Sequence, residues 1–269
     1  MTDAYSSFAT SNATVTQPAA PLLATAWVIS HVTCNGGSDG SATVSDSGGT
    51  SPYTYAWSNG ATTATITGLT AGTAYVTVTD SHACTATSSA TLTQPPPAPA
   101  SVTGPTPICQ NTSGIYSTTT GMSNYLWSVS AGGTISSGGS TTDHFAEVTW
   151  NNYGAQSVTV TYTNPPDGCI FTGTRNVTVN QPPTPVISGA SVVTQGQTVT
   201  YSTPYVAGHS YSWSASHGNA VPCLPNMNCL TITWDFPCGL ISPGFVTVTE
   251  TNLATGCTTT VTLWITINP

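Results

Sequence analysis

Val158-Thr159-Val160-Thr161-Tyr162 alternates apolar and hydroxyl side chains with a period of two. Successive side chains of an extended chain point to opposite faces, so this stretch offers one apolar and one polar face, as a half-buried β-strand does. Tyr75-Val76-Thr77-Val78-Thr79 and Val246-Thr247-Val248-Thr249 repeat the pattern. Each has a Tyr-x-Trp strand upstream: Tyr55/Trp57, Tyr125/Trp127 and Tyr211/Trp213. A buried tryptophan on a central strand is a common anchor between two sheets. Turn residues punctuate the strands at Ser58-Asn59-Gly60, Ala131-Gly132-Gly133 and Asp167-Gly168. No segment has the 3.6-residue period of a helix. The expected class is all-β: β-sandwich modules in tandem, as beads on a string, with no helices of note.

Composition supports this and excludes several functions. Only 4% of the 269 residues are charged, against roughly 25% in an ordinary soluble domain. There is no lysine, Arg175 is the single strong base, and the formal net charge is −8. Nucleic-acid binding by phosphate neutralisation needs several basic residues, so it is excluded, and docking on an anionic membrane surface is disfavoured. The 38% hydrophobic content argues against disorder, and the abundant β-branched Thr and Val suit strands. No apolar run approaches the roughly 20 residues of a membrane span. Eight cysteines in so uncharged a chain point to an oxidising, extracellular or cell-surface location. Met1 to Ala20 lacks the basic and apolar regions of a secretory leader, so the expectation is a mature form or an internal piece of a longer secreted chain.

Self-comparison gives the organisation. Asp3 to Pro18 (DAYSSFATSNATVTQP) aligns without a gap on Asp80 to Pro95 (DSHACTATSSATLTQP), with Ser7 in the place of Cys84. Val102 to Ser117 matches Ile187 to Ser202, Val148-Thr149-Trp150 matches Ile232-Thr233-Trp234, and Thr163 to Asn180 matches Thr251 to Asn268. Proline-rich stretches at Gln17–Pro21, Gln94–Pro99 and Gln181–Pro185 mark the boundaries. The reading is an orphan terminal strand at 1–18 and three modules at 19–96, 97–182 and 183–269.

Residues 22–95, with CNGGSDGSATV, YTYAWSNGATTATITGLTAGTAYVTVTD and ATLTQP, resemble the SprB-type repeat of secreted Bacteroidota surface proteins. Residues 97–269 are similar, through their GP…C, Y-x-W, V-T-W and G-C elements, to PKD-like modules of immunoglobulin fold. The resemblance implies extracellular adhesin or attachment proteins with non-enzymatic, immunoglobulin-like repeats, and it brings no catalytic residue.

Cysteines are the first candidate site. Cys34 and Cys84 are the pair in the first module and Cys109 and Cys169 in the second, so each is expected to tie an early strand to the last hairpin. Module three holds four, which allow three connectivities. Cys257 aligns with Cys169, but Thr194 stands where the second module has Cys109. In an immunoglobulin-like topology the Cys238 loop lies at the end of the first turn, near Thr194. The expectation is therefore Cys238–Cys257, with Cys223–Cys229 closing a short loop. A zinc site is the rival, but the Cys-x₅-Cys spacing does not suit it.

Other motifs carry less. Gly36-Gly37-Ser38-Asp39-Gly40 fits G-x-S-x-G but lacks the strand-elbow-helix context of a hydrolase. His31, His82, His144, His209 and His217 have no metal-binding spacing. Asp39, Asp46 and Asp80 sit in turns where their oxygens could serve calcium, but no calcium-loop pattern supports it; no cofactor or metal is expected. Asn12, Asn111 and Asn176 begin N-x-[ST] sequons and are candidate glycosylation sites. A hydroxyl-rich surface with little charge has little self-repulsion, which favours a glycan coat or a polymeric assembly. Trp264 alternates outward from Val261, Leu263, Ile265 and Ile267; with Phe8 and Val15 of the orphan strand it is a candidate interface residue, and Trp27 is a further outward aromatic.

The functional expectation is a non-enzymatic extracellular repeat protein, the subunit of a surface filament or the stalk of an adhesin, self-associating or joined to neighbouring modules. An orphan strand can add to a free sheet edge, giving a route to assembly. The alternative is a glycan- or ligand-binding surface module.

Overall fold

The structure is a computed structural model that describes residues 20–224, 227–235 and 243–268. The expected strand at 1–18, with Phe8, Asn12 and Val15, lies outside the described residues, as does Cys238. No helix occurs among the described residues, and none is long and apolar enough to cross a membrane. The chain divides into two compact units. One runs through Ala98 and takes in Pro166–Cys169; the other holds Pro99–Pro165 and the chain from Ile170 onward.

Module 1 comprises β1 (Leu23–Ser30), β2 (Gly40–Ser47), β3 (Thr54–Trp57), β4 (Thr65–Leu69), β5 (Gly72–Thr79) and β6 (Thr85–Leu92). They form two sheets, β1-β2-β4 and β3-β5-β6, which share a core of Ala42, Val44, Trp57, Ile66, Val76, Val78 and Leu92. Module 2 comprises β7 (Ile108–Cys109), β8 (Ser113–Ser117), β9 (Ser123–Val129), β10 (Gly133–Gly138), β11 (Phe145–Trp150), β12 (Gly154–Thr163) and β13 (Ile170–Asn180). Its sheets are β10-β11-β8 and β7-β13-β12-β9. Module 3 comprises β14 (Val192–Thr194), β15 (Thr198–Ser202), β16 (His209–Ala215), β17 (Asn219–Pro222), β18 (Cys229–Thr233), β19 (Gly244–Asn252) and β20 (Thr258–Asn268). Its sheets, β15-β18-β17 and β14-β20-β19-β16, have the same connectivity as those of module 2. In both, the short first strand pairs parallel with the last, β7 on β13 and β14 on β20, as in immunoglobulin-like sandwiches.

The alternation does what it implies. Val158, Val160 and Tyr162 are buried, as are Val76, Val78, Val246 and Val248. On the outer face the threonines pair across strands: Thr159 with Thr174, Thr161 with Thr172, Thr200 with Thr231 and Thr249 with Thr260, at 2.7–2.9 Å. Such cross-strand hydroxyl pairs contribute a few tenths of a kcal/mol each, and they let a nearly uncharged chain satisfy its solvent face.

The tryptophan anchors are not those of the Tyr-x-Trp strands alone. Trp57 and Trp127 are buried, but Trp213 is only partly so. Trp150 and Trp234, from the V-T-W and I-T-W elements, are fully buried and meet Tyr116 and Tyr201 edge-on, with centroids 6.1 Å apart in each case. An edge-to-face pair aligns the positive ring edge with the negative face of its partner. Gly173 is dictated by packing: a Cβ there would collide with the Ala100 carbonyl oxygen, where the incoming segment lies on β13.

Candidate functional site

Two turns, at opposite ends of the last strand of each module, carry Cys34, Cys84, Cys109, Cys169 and Cys257. In the first turn, the carbonyl of Cys34, Cys109 or Thr194 accepts the N–H of Gly37, Thr112 or Gln197. The third residue is left-handed in each: Gly36, Asn111 and Gly196, with φ of 75°, 64° and 79°. That is the type II pattern, which selects Gly or Asn there. The second turn closes the last hairpin. Cys84, Cys169 and Cys257 each stand directly before the last strand, β6, β13 or β20. Each follows a left-handed residue: Ala83, Gly168 or Gly256, at 64°, 71° and 73°.

Side-chain oxygens cap these hairpin turns. Asp80 Oδ1 accepts from the N–H groups of His82 and Cys84, at 2.9 and 2.8 Å, and Oδ2 accepts from Thr50 at 3.0 Å. Burial acts to raise the Asp80 pKa, but the three N–H donors outweigh it and hold the carboxyl below its ordinary range. Asp167 Oδ1 accepts from Cys169 N–H, and Asn252 Oδ1 from Ala254 and Thr255.

The expected pairings Cys34–Cys84 and Cys109–Cys169 do not occur. Asn180, at the far end of β13, is paired with Cys109, whereas Cys169 precedes its near end. A strand of 11 residues separates them by roughly 35 Å, far beyond the ~4.4–6.8 Å Cα separation that a disulfide spans. In module 1, Val32 N–H donates to Thr93 O, so the first turn stands past the far end of β6, while Cys84 precedes its near end. The bonds formed instead join successive modules. Cys34 is bonded to Cys169, with Cα atoms 5.5 Å apart, and Cys109 to Cys257, at 5.7 Å. The expected Cys238–Cys257 pair is therefore also overturned. Cys223 and Cys229 are bridged. Cys84 is exposed and unbonded.

Chain threading explains the pattern. The chain reaches module 2 at its hairpin end, where Ala100 N–H donates to Thr172 O, and leaves beside the first turn, where Gln110 N–H donates to Asn180 O. A first-turn cysteine thus stands at the start of the linker to the next module.

A second feature was missed from sequence. The alternation Val246 to Thr249 continues into Glu250, where the second module has Tyr162. Glu250 is buried, and its Oε1 lies 2.6 Å from His209 Nδ1 and 3.4 Å from the Tyr211 hydroxyl. Glu250 and His209 border a cavity of about 300 Å³ lined also by Pro182, Pro185 and Thr203. The break in apolar alternation at Glu250 was the available signal.

The remaining candidates are scattered. Trp264 is 64% exposed and meets Phe245 edge-on at 5.9 Å; Trp27 is 48% exposed. Asn111 is exposed in the first turn of module 2, and Asn176 is on β13. The G-x-S-x-G stretch lies between β1 and β2, with left-handed Gly36 in its turn. Asp46 accepts a hydrogen bond from Tyr55, and Asp39 one from Thr33 N–H. Among the described residues no group of three or more His, Cys, Asp and Glu is placed to hold a metal.

Residues 28–62 match the SprB repeat, and residues 95–179 match the PKD-like domain. The chain joins a SprB repeat to a PKD-like domain. Both are adhesin-type repeat modules of extracellular surface proteins, typically structural or adhesive and not enzymatic. The two module-joining disulfides and the Cys223–Cys229 loop are compatible with that location. No curated protein matches the chain. Among solved structures, the three N-terminal domains of the bacteriophage RB49 outer capsid protein Hoc are 12% identical with a TM-score of 0.34, covering 92% of this chain and 98% of that one. Murine CEACAM1b is 13% identical with a TM-score of 0.27, covering 62% and 100%. The fibronectin(III)-like modules of Clostridium thermocellum CbhA are 14% identical with a TM-score of 0.26, covering 58% and 94%. At these values the likenesses carry no argument about function.

Proposed function

We propose that this SprB/PKD-like chain is a non-enzymatic structural repeat, the subunit of a surface filament or a length of adhesin stalk. The observation that carries the reading is the pair of module-joining disulfides, Cys34–Cys169 and Cys109–Cys257. An enzyme or a simple binding module needs no covalent link between successive sandwiches. A strand of modules under tension or proteolysis gains from one, because a module that opens locally stays tethered to its neighbour. The repeated N-terminal sequence supports assembly by strand addition. Its second occurrence, Asp80 to Pro95, is β6 with its flanks, and β6 is an edge strand of the β3-β5-β6 sheet. Electron microscopy of the purified chain beside a version lacking residues 1–18 tests this. Filaments lost on truncation are the expected result; isolated chains from both would leave the stalk as the form in use.

The Phe245–Trp264 pair favours a second reading, a surface that stacks on a sugar or an apolar partner. Asn111 and Asn176 remain the proposed glycan sites among the described residues. Intact-mass measurement before and after glycosidase treatment of the native chain checks the glycans. Glycan-array binding lost in Trp264→Ala would support the ligand reading, and an empty array would count against it.

A further inference from the structure

Cys84 is the one described hairpin-turn cysteine without a bond. Its turn is built as the other two are: left-handed Ala83 precedes it, β6 follows it, and Asp80 fixes its N–H at 2.8 Å. The equivalent residue in both sister modules, Cys169 and Cys257, is bonded to the first-turn cysteine of the module before it. Two of three equivalent positions therefore carry the same module-joining bond, and the third presents the same thiol in the same turn to solvent.

We propose that Cys84 is the receiving half of a third such bond, and that its partner is a first-turn cysteine of another β-sandwich module of this type. The partner thiol is one held as Cys34 and Cys109 are, at the head of a type II turn beside the end of a last strand. First turns of this chain do not supply it: Cys34 and Cys109 are already bonded, and module 3 has Thr194 at that position. A second copy has the same three first turns, so the partner is a module on another polypeptide segment. Bond formation removes one hydrogen from each thiol. The two electrons and two protons pass to a disulfide oxidant, such as oxidised glutathione, which leaves as two thiols. The inference deepens the repeat-protein reading by naming the chemistry of the junction, and it does not need filaments to form.

Thr194→Cys supplies the missing first-turn thiol in this chain. Incubated in a glutathione redox buffer, that variant should form covalent head-to-tail oligomers on non-reducing electrophoresis. Mass spectrometry should identify a peptide pair joining Cys84 to the thiol introduced at position 194. Its yield should be ten-fold or more that from Val192→Cys, an exposed position two residues away on β14. Cys84→Ser should abolish the oligomers. Wild type treated in parallel should stay monomeric, because its own first turns offer no free thiol; wild-type oligomers linked through Cys84 would overturn the proposal. Linkage by Thr194→Cys no greater than by Val192→Cys, or a Cys84 bridged within one wild-type chain, would overturn the proposal. An unlinked Thr194→Cys beside wild-type filaments would overturn it while leaving the filament reading intact, and linkage in Thr194→Cys without wild-type filaments would do the reverse.

Discussion

Modules 2 and 3 share strand order, parallel first strand, Tyr–Trp core pair and hairpin turn, yet they differ at the hairpin end. Module 2 fills that end with aromatics: Tyr162 lies 5.8 Å from both Tyr125 and Phe171. Module 3 places Glu250 there, paired with His209, beside a cavity. The comparison separates two kinds of determinant. The frame follows from alternation and the tryptophan anchor, which both modules keep. The hairpin end is exchangeable, provided that a buried carboxylate finds donors, because an unpaired buried charge is costly. The cysteines add a second difference: module 2 is bonded at both ends, through Cys109 and Cys169, while the first turn of module 3 carries Thr194.

The largest expected effect breaks the link between the two modules. Replacing Cys109 and Cys257 together by Ser removes a bond spanning 148 residues; loop-closure entropy puts the loss near ~5 kcal/mol. The same change at Cys223 and Cys229, 6 residues apart, should cost about 2 kcal/mol. Urea unfolding of both variants checks this, and equal losses would show that loop length is not what matters. Next come the anchors. Trp150→Ala and Trp234→Ala should each cost about 4 kcal/mol. Trp150 should be the worse by about 1 kcal/mol, because its Nε1 also donates to the Tyr116 hydroxyl at 3.0 Å; thermal melts of the pair would rank them.

Glu250→Ala sharpens the contrast at the hairpin end. It removes the hydrogen-bond partner of His209 Nδ1 and should cost about 2 kcal/mol, read by urea unfolding. An unchanged midpoint would mean that the pair is tolerated and not structural. The smallest effect is confined to pH. The folded Asp80 carboxyl is held below its ordinary value of 3.8, so its contribution is present above that pH and lost as pH falls through the lower folded value. Asp80→Asn should therefore destabilise at pH 7, and its gap to wild type should narrow as pH falls below 3.8, as urea titrations across that range would show. A gap that persists in acid would assign the effect to turn geometry and not to charge.

Much of the fold was legible. Alternation at 75–79, 158–162 and 246–249 placed the central strands, and the matching blocks announced that modules 2 and 3 repeat one plan. The candidate site was less legible. Cysteine spacing favoured bonds within each module, yet the same sequence held the contrary sign. If bonds stayed within modules, Thr194 would leave Cys257 without its counterpart; if they joined neighbours, Cys257 would need only Cys109. The length of the last strand, with one cysteine at each end, decides between them, and the strand bounds come from pairing. Glu250 was hidden for a different reason: a lone carboxylate at a strand end resembles a solvated charge until its burial against His209 is seen.

The amino-acid order alone determined the class of fold, the modular plan and the near absence of charge, because side-chain period and repetition are local properties of the chain. Only the tertiary structure decided which thiols meet. A disulfide requires Cα atoms within about 7 Å, and that distance depends on strand direction, on parallel pairing of first and last strands, and on the end from which each module hands the chain to the next.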